Sequence, residues 1–293
     1  MRGATSSSSG SLRAALSYCV QQVRNYDYHH YLCLLELPPT MRKAAFALRA
    51  FNIETSRAVD VSSDTKIGLM RLLWWQEALG SLYTNKPVEH PVAQALASVV
   101  VSENNGEENR SKISKNWLKR SVEARIKDAR RELSDSSPTT TVAELERYAE
   151  DTASTILYST LQAGGITSTA ADHAASHIGK ANGLLLLLTS LPYHARRNRL
   201  SLYVPSDVAI SDAVYDMASV ANAHLDKARE LRGSVPVEAR PVLLPAVSAQ
   251  FMLESLRRVQ FDVFDPRLRR GILGAPPLLF QLKLKWYSWR GKY

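Results

Sequence analysis

Residues 44–80, AAFALRAFNIETSRAVDVSSDTKIGLMRLLWWQEALG, constrain the fold more than any other stretch of the chain. They read as two helices joined by a polar turn at Ser62-Ser63-Asp64, with Asp64 or Thr65 placed to cap the second. On the first helix Arg49, Asn52, Ser56 and Asp60 are spaced three, four and four residues apart and share one face. Phe46, Ala47, Ala50, Phe51, Ile53, Ala58 and Val59 surround them. A polar stripe on a helix that is apolar elsewhere faces either solvent or a polar cavity. Which of the two holds decides what chemistry is open to the chain.

The remaining segments extend this helical pattern. Helices are expected over about 12–36, stopped by Pro38-Pro39, then 41–82, 92–102 and 112–133. Others follow from 141 to about 163, over 170–191 up to Pro192, and over 206–232 and 241–265. Thr141-Val142-Ala143-Glu144 is a capping box, and Gly164-Gly165 is a helix stop. Residues 103–111 and 134–140 read as polar loops, and HARRNRLSLYVP as a basic one. Hydrophobic residues make up 45% and charged residues 22% of 293, so a sizeable core is expected. Alternating apolar runs are few, which argues against an all-β fold. No repeat is visible, and no run is long enough to span a bilayer.

The formal net charge of +9 admits several readings: solvated Lys/Arg faces, an anionic membrane surface, RNA or a diphosphate. The charges are spread along the chain, which favours solvated faces. Nine Lys/Arg between Arg110 and Arg131 make that helix the best placed for an acidic partner. Cys19 and Cys33 form no CxxC, which excludes a disulfide framework and a zinc ribbon and suits a reducing compartment. Arg2, Arg13 and Arg24 precede the first acid, Asp27, in a Ser/Ala-rich stretch. That is the composition of a mitochondrial presequence, assigned to residues 1–14, with a disordered tail as the alternative. In the tail, 276–293, Leu278, Leu282, Trp286 and Trp289 recur at helical spacing while Lys283, Lys285 and Arg290 sit elsewhere. This pattern suits contact with a membrane or a partner, or a docked terminal helix with a wet basic edge.

Few constellations carry chemistry. His173 and His177 lie one turn apart with no Glu between them and no evident third ligand, so structural histidines are expected rather than a metal site. His29-His30 are adjacent and diverge on a helix. Trp74-Trp75 read as core aromatics. No Gly-rich phosphate loop, Ser/His/Asp signature or RNA-binding aromatic motif is visible. No catalytic set, metal or cofactor is assigned.

The segments AAFALRAFNIE, IGLMRLLWW, YAEDTASTILY and ADHAASHIGKANGLLLLL, with a basic loop ending in YVP, resemble the squalene/phytoene synthase superfamily. Resemblance to its mitochondrial branch, the NADH dehydrogenase (complex I) assembly factor 6 family, extends through VPVEARPVLLPAVSAQFMLESLRRVQFDVFDP to WRGKY. This implies one all-α, isoprenoid-synthase-like domain over 15–293 with a central cavity. Active synthases carry two DxxxD motifs on facing helices, which hold Mg²⁺ against substrate diphosphates. The resemblance puts the first pair of aspartates at Ser56 and Asp60 and the second at Ser190 and His194. No Asp or Glu occurs between Asp172 and Asp207. A diphosphate could still meet Arg49, Arg57, Arg71, Arg196 or Arg197, with Asn52 in the same cavity, but its ionisation would lack the metal.

The expected function is therefore a catalytically silent synthase-like protein of the mitochondrial matrix, peripheral to the inner membrane. Its partners would be subunits of a complex under assembly, by resemblance respiratory complex I. The alternatives are assembly of a mitochondrial ribonucleoprotein such as a maturing ribosome, with RNA but not DNA as partner, and a residual prenyl-diphosphate-binding transferase.

Overall fold

The computed structural model describes residues 4–61, 64–84, 86–100, 113–134, 140–197, 199–200, 203–204, 208–271 and 274–293. All regular secondary structure among these is helical. The chain forms two compact units, Met1–Leu133 with Tyr158–Thr167, and Ser134–Leu157 with Ser168–Tyr293. Ser62-Ser63, the 103–111 loop, most of the 134–140 loop and part of the basic loop lie outside the described residues.

In the first unit α1 (Ala4–Tyr26), α3 (Pro39–Ser56) and α5 (Pro91–Val100) pack on one another, and α4 (Thr65–Tyr83) lies against α5 and α6 (Lys115–Glu132). α3 is central: 11 of its 18 residues are buried, so apolar contact runs round most of its circumference. Phe51 is fully buried and meets Trp75 of α4 edge to face, ring centroids 5.3 Å apart. α4 is capped by Asp64, whose carboxylate accepts from Lys66 N–H at 2.8 Å.

Two expectations for this unit need correction. The helix expected over 12–36 is broken at Asp27 (φ −152°, ψ 56°), and α2 (Tyr28–Leu35) begins beyond it. Backbone bonding continues through the break. Asp27 N–H donates to Val23 and its carbonyl accepts from Tyr31, both at 2.9 Å. The first helix of the 44–80 pair also ends sooner than expected, at Ser56 with Arg57 as its C-cap. Asp60 therefore lies in the following turn, its N–H bonded to the Arg57 carbonyl at 3.0 Å, and is not on the helical stripe.

In the second unit α9 (Thr169–Arg196) is the spine. Around it pack α10 (Ile210–Glu230), α11 (Pro245–Arg258), α7 (Val142–Ala149) and a π-helical segment, Glu150–Ser154. The chain continues from that segment into α8 (Thr155–Ala163). Thr141 and Glu144 form the expected capping box. A Cβ on Gly179 would strike Ser154, and one on Gly183 would strike Ala149, so α9 meets α7 and the π segment at backbone distance. Pro192 does not stop α9, which runs four residues further. The proline forfeits one backbone bond, but Leu188, Leu191 and Pro192 are all buried and their packing carries the helix on. The helix expected over 241–265 opens as a 3₁₀ segment, Val237–Leu243, and α11 ends at Arg258. Gln260 (φ 53°) and Phe261 (φ 62°) are left-handed and turn the chain away. α12 (Pro277–Trp289) docks on α11 through Phe280, which packs on Phe251 at 5.1 Å, and through Leu284. No helix among the described residues is long and apolar enough to cross a membrane.

Candidate functional site

The break after α1 positions the first group of interest. Asp27, the first carboxylate in the chain, is 8% exposed and receives the Arg49 guanidinium through Nε. Arg49 Nη2 lies 2.7 Å from His30 Nδ1, and Asp27 Oδ1 lies 2.8 Å from the same nitrogen. His29 Nε2 is 3.4 Å from Asp27 Oδ1. His29 and His30 thus do not diverge. Their rings are 4.3 Å apart, because the helix begins only after Asp27 and its first turn gathers both around the carboxylate. Burial by itself would lift the Asp27 carboxyl, but Arg49, with His30 and His29, holds it well below the usual carboxylate range. Burial and His30 push His29 down to about 3, and burial and Arg49 push His30 down as well. The arrangement is an anion and a cation in contact beside two neutral imidazoles. Three potential metal ligands converge here, within 4.8 Å of one another, but the cation beside them is Arg49.

The other stripe residues are dispersed. Asn52 is buried and accepts from Arg125 Nη2 of α6 at 2.7 Å. Arg125 also donates to Ser121, so this residue of the basic helix is internal. Ser56 is exposed and bonds the Ile53 carbonyl of its own helix at 3.1 Å. Asp60 is exposed in its turn. Arg57 stacks on the Tyr26 ring, 3.6 Å from the centroid. Arg57 and Arg71 both line a cavity of ≈ 580 Å³ whose walls also include Trp74, Trp75 and His90. Trp75 is core at 3% exposure, whereas Trp74, expected in the core as well, is 41% exposed on the cavity wall. Arg57 and Arg71 are among the cavity residues expected from the family resemblance, whereas the apolar walls are not; the exposed apolar residues Ile67 and Met70 beside Arg71 are the sequence signal for those.

In the second unit Ser190 bonds the Leu187 carbonyl of α9 at 2.7 Å. The His194 ring packs on Tyr203 with centroids 4.6 Å apart. Arg196 is exposed, and Arg197 lies over Tyr193 at 4.9 Å. His177 pairs not with His173 but with His224 of α10, Nδ1 to Nδ1 at 2.8 Å. His224 Nε2 reaches Glu146 at 3.2 Å, and Lys180 donates to the same carboxylate at 3.0 Å. Glu150, in the π segment, accepts from Ser176 at 2.8 Å. On α12 the regular stripe Leu278, Leu282, Trp286 and Trp289 is exposed, at 50–78%. Lys283 bonds Glu254 at 3.2 Å, and Lys285 is exposed.

Comparison with known proteins places this arrangement. A family model described as squalene/phytoene synthase matches residues 23–212 and 205–273. NADH dehydrogenase (ubiquinone) complex I, assembly factor 6 of Homo sapiens is 37% identical over 294 residues, covering 94% of this chain and 82% of that protein. The Drosophila melanogaster homolog is 36% identical over 267 residues, covering 83% and 76%. Among solved structures, a dehydrosqualene synthase in complex with ligand aligns with a TM-score of 0.73 at 16% identity, covering 95% of this chain and 98% of that one. The squalene synthase HpnC from Alicyclobacillus acidocaldarius aligns at 0.65, also at 16% identity, covering 87% and 98%. At such identity the structures speak for the fold alone, an all-α synthase fold. The chain therefore belongs to the squalene/phytoene synthase family, within the group of relatives named complex I assembly factor 6.

Proposed function

We propose that the chain is a non-catalytic member of this family that serves as an assembly factor for mitochondrial complex I. The observation that carries the reading is the state of the polar residues a synthase would need. Of the four metal-motif positions only Asp60 is acidic, and it sits in an exposed turn rather than on α3. Arg49, the most central guanidinium of the stripe, already holds the Asp27 carboxylate. One exposed acid does not assemble the oxygen ligands that Mg²⁺ requires between protein and diphosphate. The names of the relatives support the assembly role, and residues 1–26, with three arginines and no acid, support import into the matrix. The exposed Trp/Leu stripe of α12, edged by Lys285, supports a peripheral position at the inner membrane. On α6, by contrast, Lys119 and Arg131 face the acids Glu123 and Asp128 and Arg125 is buried, which reduces the cations available to the ribonucleoprotein reading.

The test is removal of the gene followed by native-gel quantification of assembled complex I. Loss of the complex, restored by the wild-type chain and equally by Asp60→Ala, is the expected result. Mg²⁺-dependent turnover of farnesyl or geranylgeranyl diphosphate that Asp60→Ala abolishes would overturn the non-catalytic part. Normal complex I without the gene would overturn the assembly part.

A further inference from the structure

None of the four motif positions lines the ≈ 580 Å³ cavity of the first unit, although Arg57, Ala58 and Val61 next to Ser56 and Asp60 do. Arg49, Asn52 and Ser56 mark one stripe of α3, and the cavity is lined by Ile53 and Glu54 beside that stripe and by the C-cap residue Arg57. Its volume falls in the range of small-molecule sites, about 300–1,000 Å³. Its base is apolar and rigid. Trp75 and Ala58 are buried, and Trp74, Trp75 and His90 pack edge to face or tilted, centroids 5.0–5.5 Å apart. Its rim is apolar and open, with Val61, Ile67 and Met70 46–67% exposed. An apolar surface of this kind, concentrated at one concavity, marks a binding site more often than a bare surface.

The polar groups specify the rest. Neither Arg57 nor Arg71 meets a carboxylate among the described residues. Stacking on Tyr26 holds the Arg57 guanidinium by its face, which leaves the in-plane N–H donors to a ligand. Glu54 is engaged by the Tyr18 hydroxyl at 3.2 Å. His90 Nδ1 faces the Val92 N–H at 3.3 Å, and burial pushes its pKa down, so the ring is neutral. Two cations and one anion give the lining a single net positive charge.

We propose that this cavity binds a long-chain monoanionic amphiphile, with a fatty carboxylate held by Arg57 and Arg71 and its chain laid along Trp74 and Met70. A neutral head would leave both guanidiniums without a charge partner, a cationic head would meet them directly, and a dianion would meet Glu54. The site does not depend on the assembly reading and stands or falls separately from it.

The experiment titrates the full chain with 11-(dansylamino)undecanoic acid, reading dansyl emission sensitised by tryptophan. Palmitate is expected to displace the probe, and hexadecanol and hexadecyltrimethylammonium are not. Arg57→Gln/Arg71→Gln should weaken palmitate at least tenfold, Arg71→Lys should retain most of the affinity, and Lys119→Gln on α6 should change nothing. Trp74→Ala should weaken palmitate and the probe together. Circular dichroism establishes that each variant is folded. The proposal is overturned if the probe does not bind saturably, if hexadecanol competes as well as palmitate, or if acetate or inorganic phosphate alone displaces the probe. It is equally overturned if the double variant, folded, binds palmitate as tightly as wild type. Displacement by a synthetic acidic amphipathic peptide but not by palmitate would assign the cavity to a protein partner instead.

Discussion

Replacing Arg49 by methionine tests how the first unit is held together. The side chains of Arg49 and Asp27 are 11% and 8% exposed, so the pair belongs to the buried class. Breaking such a pair from one side costs about 3–5 kcal/mol, because the remaining charge is left unmatched in a poorly solvated place. Asp27 would keep His30 Nδ1 at 2.8 Å and His29 Nε2 at 3.4 Å, either of which can take up a proton and pair with it. That relief puts the expected loss near the lower end, about 3 kcal/mol at pH 7. The pH dependence carries the sharper information. In the wild type the Asp27 carboxyl is depressed, so its stabilising contribution is complete above the unfolded value of 3.8 and fades as pH falls below it. In Arg49→Met burial is no longer opposed by the guanidinium, and the carboxyl rises. The folded variant then takes up a proton more readily than the unfolded chain, and its deficit should shrink as pH drops from 7 to 5. Urea unfolding followed at 222 nm at both pH values measures this. A loss under 0.5 kcal/mol at pH 7, or an equal loss at pH 5 and pH 7, would refute the account of Asp27 as a buried anion matched by Arg49.

Three further outcomes are expected. Gly179→Ala should destabilise by about 1–3 kcal/mol or more, since its Cβ would strike Ser154, whereas Gly80→Ala in α4 meets nothing within 4 Å and should be neutral or stabilising; thermal melts of the two variants compare them directly. Thr141→Ala removes the side-chain half of the capping box, the Thr141 hydroxyl that accepts from Glu144 N–H, while the backbone N–H of residue 141 can still donate to Glu144, and should cost about 1 kcal/mol by denaturant titration. His177 and His224 are both pushed below 6.5, first by burial, so the unfolded chain binds their protons at a higher pH than the folded one and stability should fall as pH drops below 6.5. His224→Gln should flatten that decline by up to about 1.4 kcal/mol per pH unit, and an unchanged slope would contradict the assignment.

What could be read beforehand follows a physical division. Thr141/Glu144 and Asp64 act within one turn of their own sequence, so their capping roles were legible. The apolar period of α3 and α9 was legible for the same reason. The partner of Arg49 was not: helical spacing says which residues share a face, but Asp27 arrives from 22 positions upstream, across a break in α1 that its own backbone makes. Asp60 was misplaced because continuing the three-four-four spacing assumed a helix that ends at Ser56. Pro192 was read by its local rule, which the burial of Leu188 and Leu191 overrides. In α12 the regular Leu/Trp spacing left open a membrane or partner contact and a docked helix; Phe280 and Leu284 do the packing and the regular stripe points outward. A helical period identifies stripes without saying which stripe finds a neighbour.

The glycines of α9 have a consequence for how this molecule can vary. Gly179 and Gly183 stand where any side chain would collide with Ser154 or Ala149, while Ser56 and Asp60 are exposed. The two positions that the family resemblance aligns with the first metal motif thus lie at the surface, and the positions that set the helix spacing are chemically blank. Substitution at the second set must move backbone, since an added Cβ at Gly179 or Gly183 meets backbone atoms within 3 Å. In such a chain the residues that hold the shape carry no chemistry of their own, so shape is inherited through positions that no reaction would use.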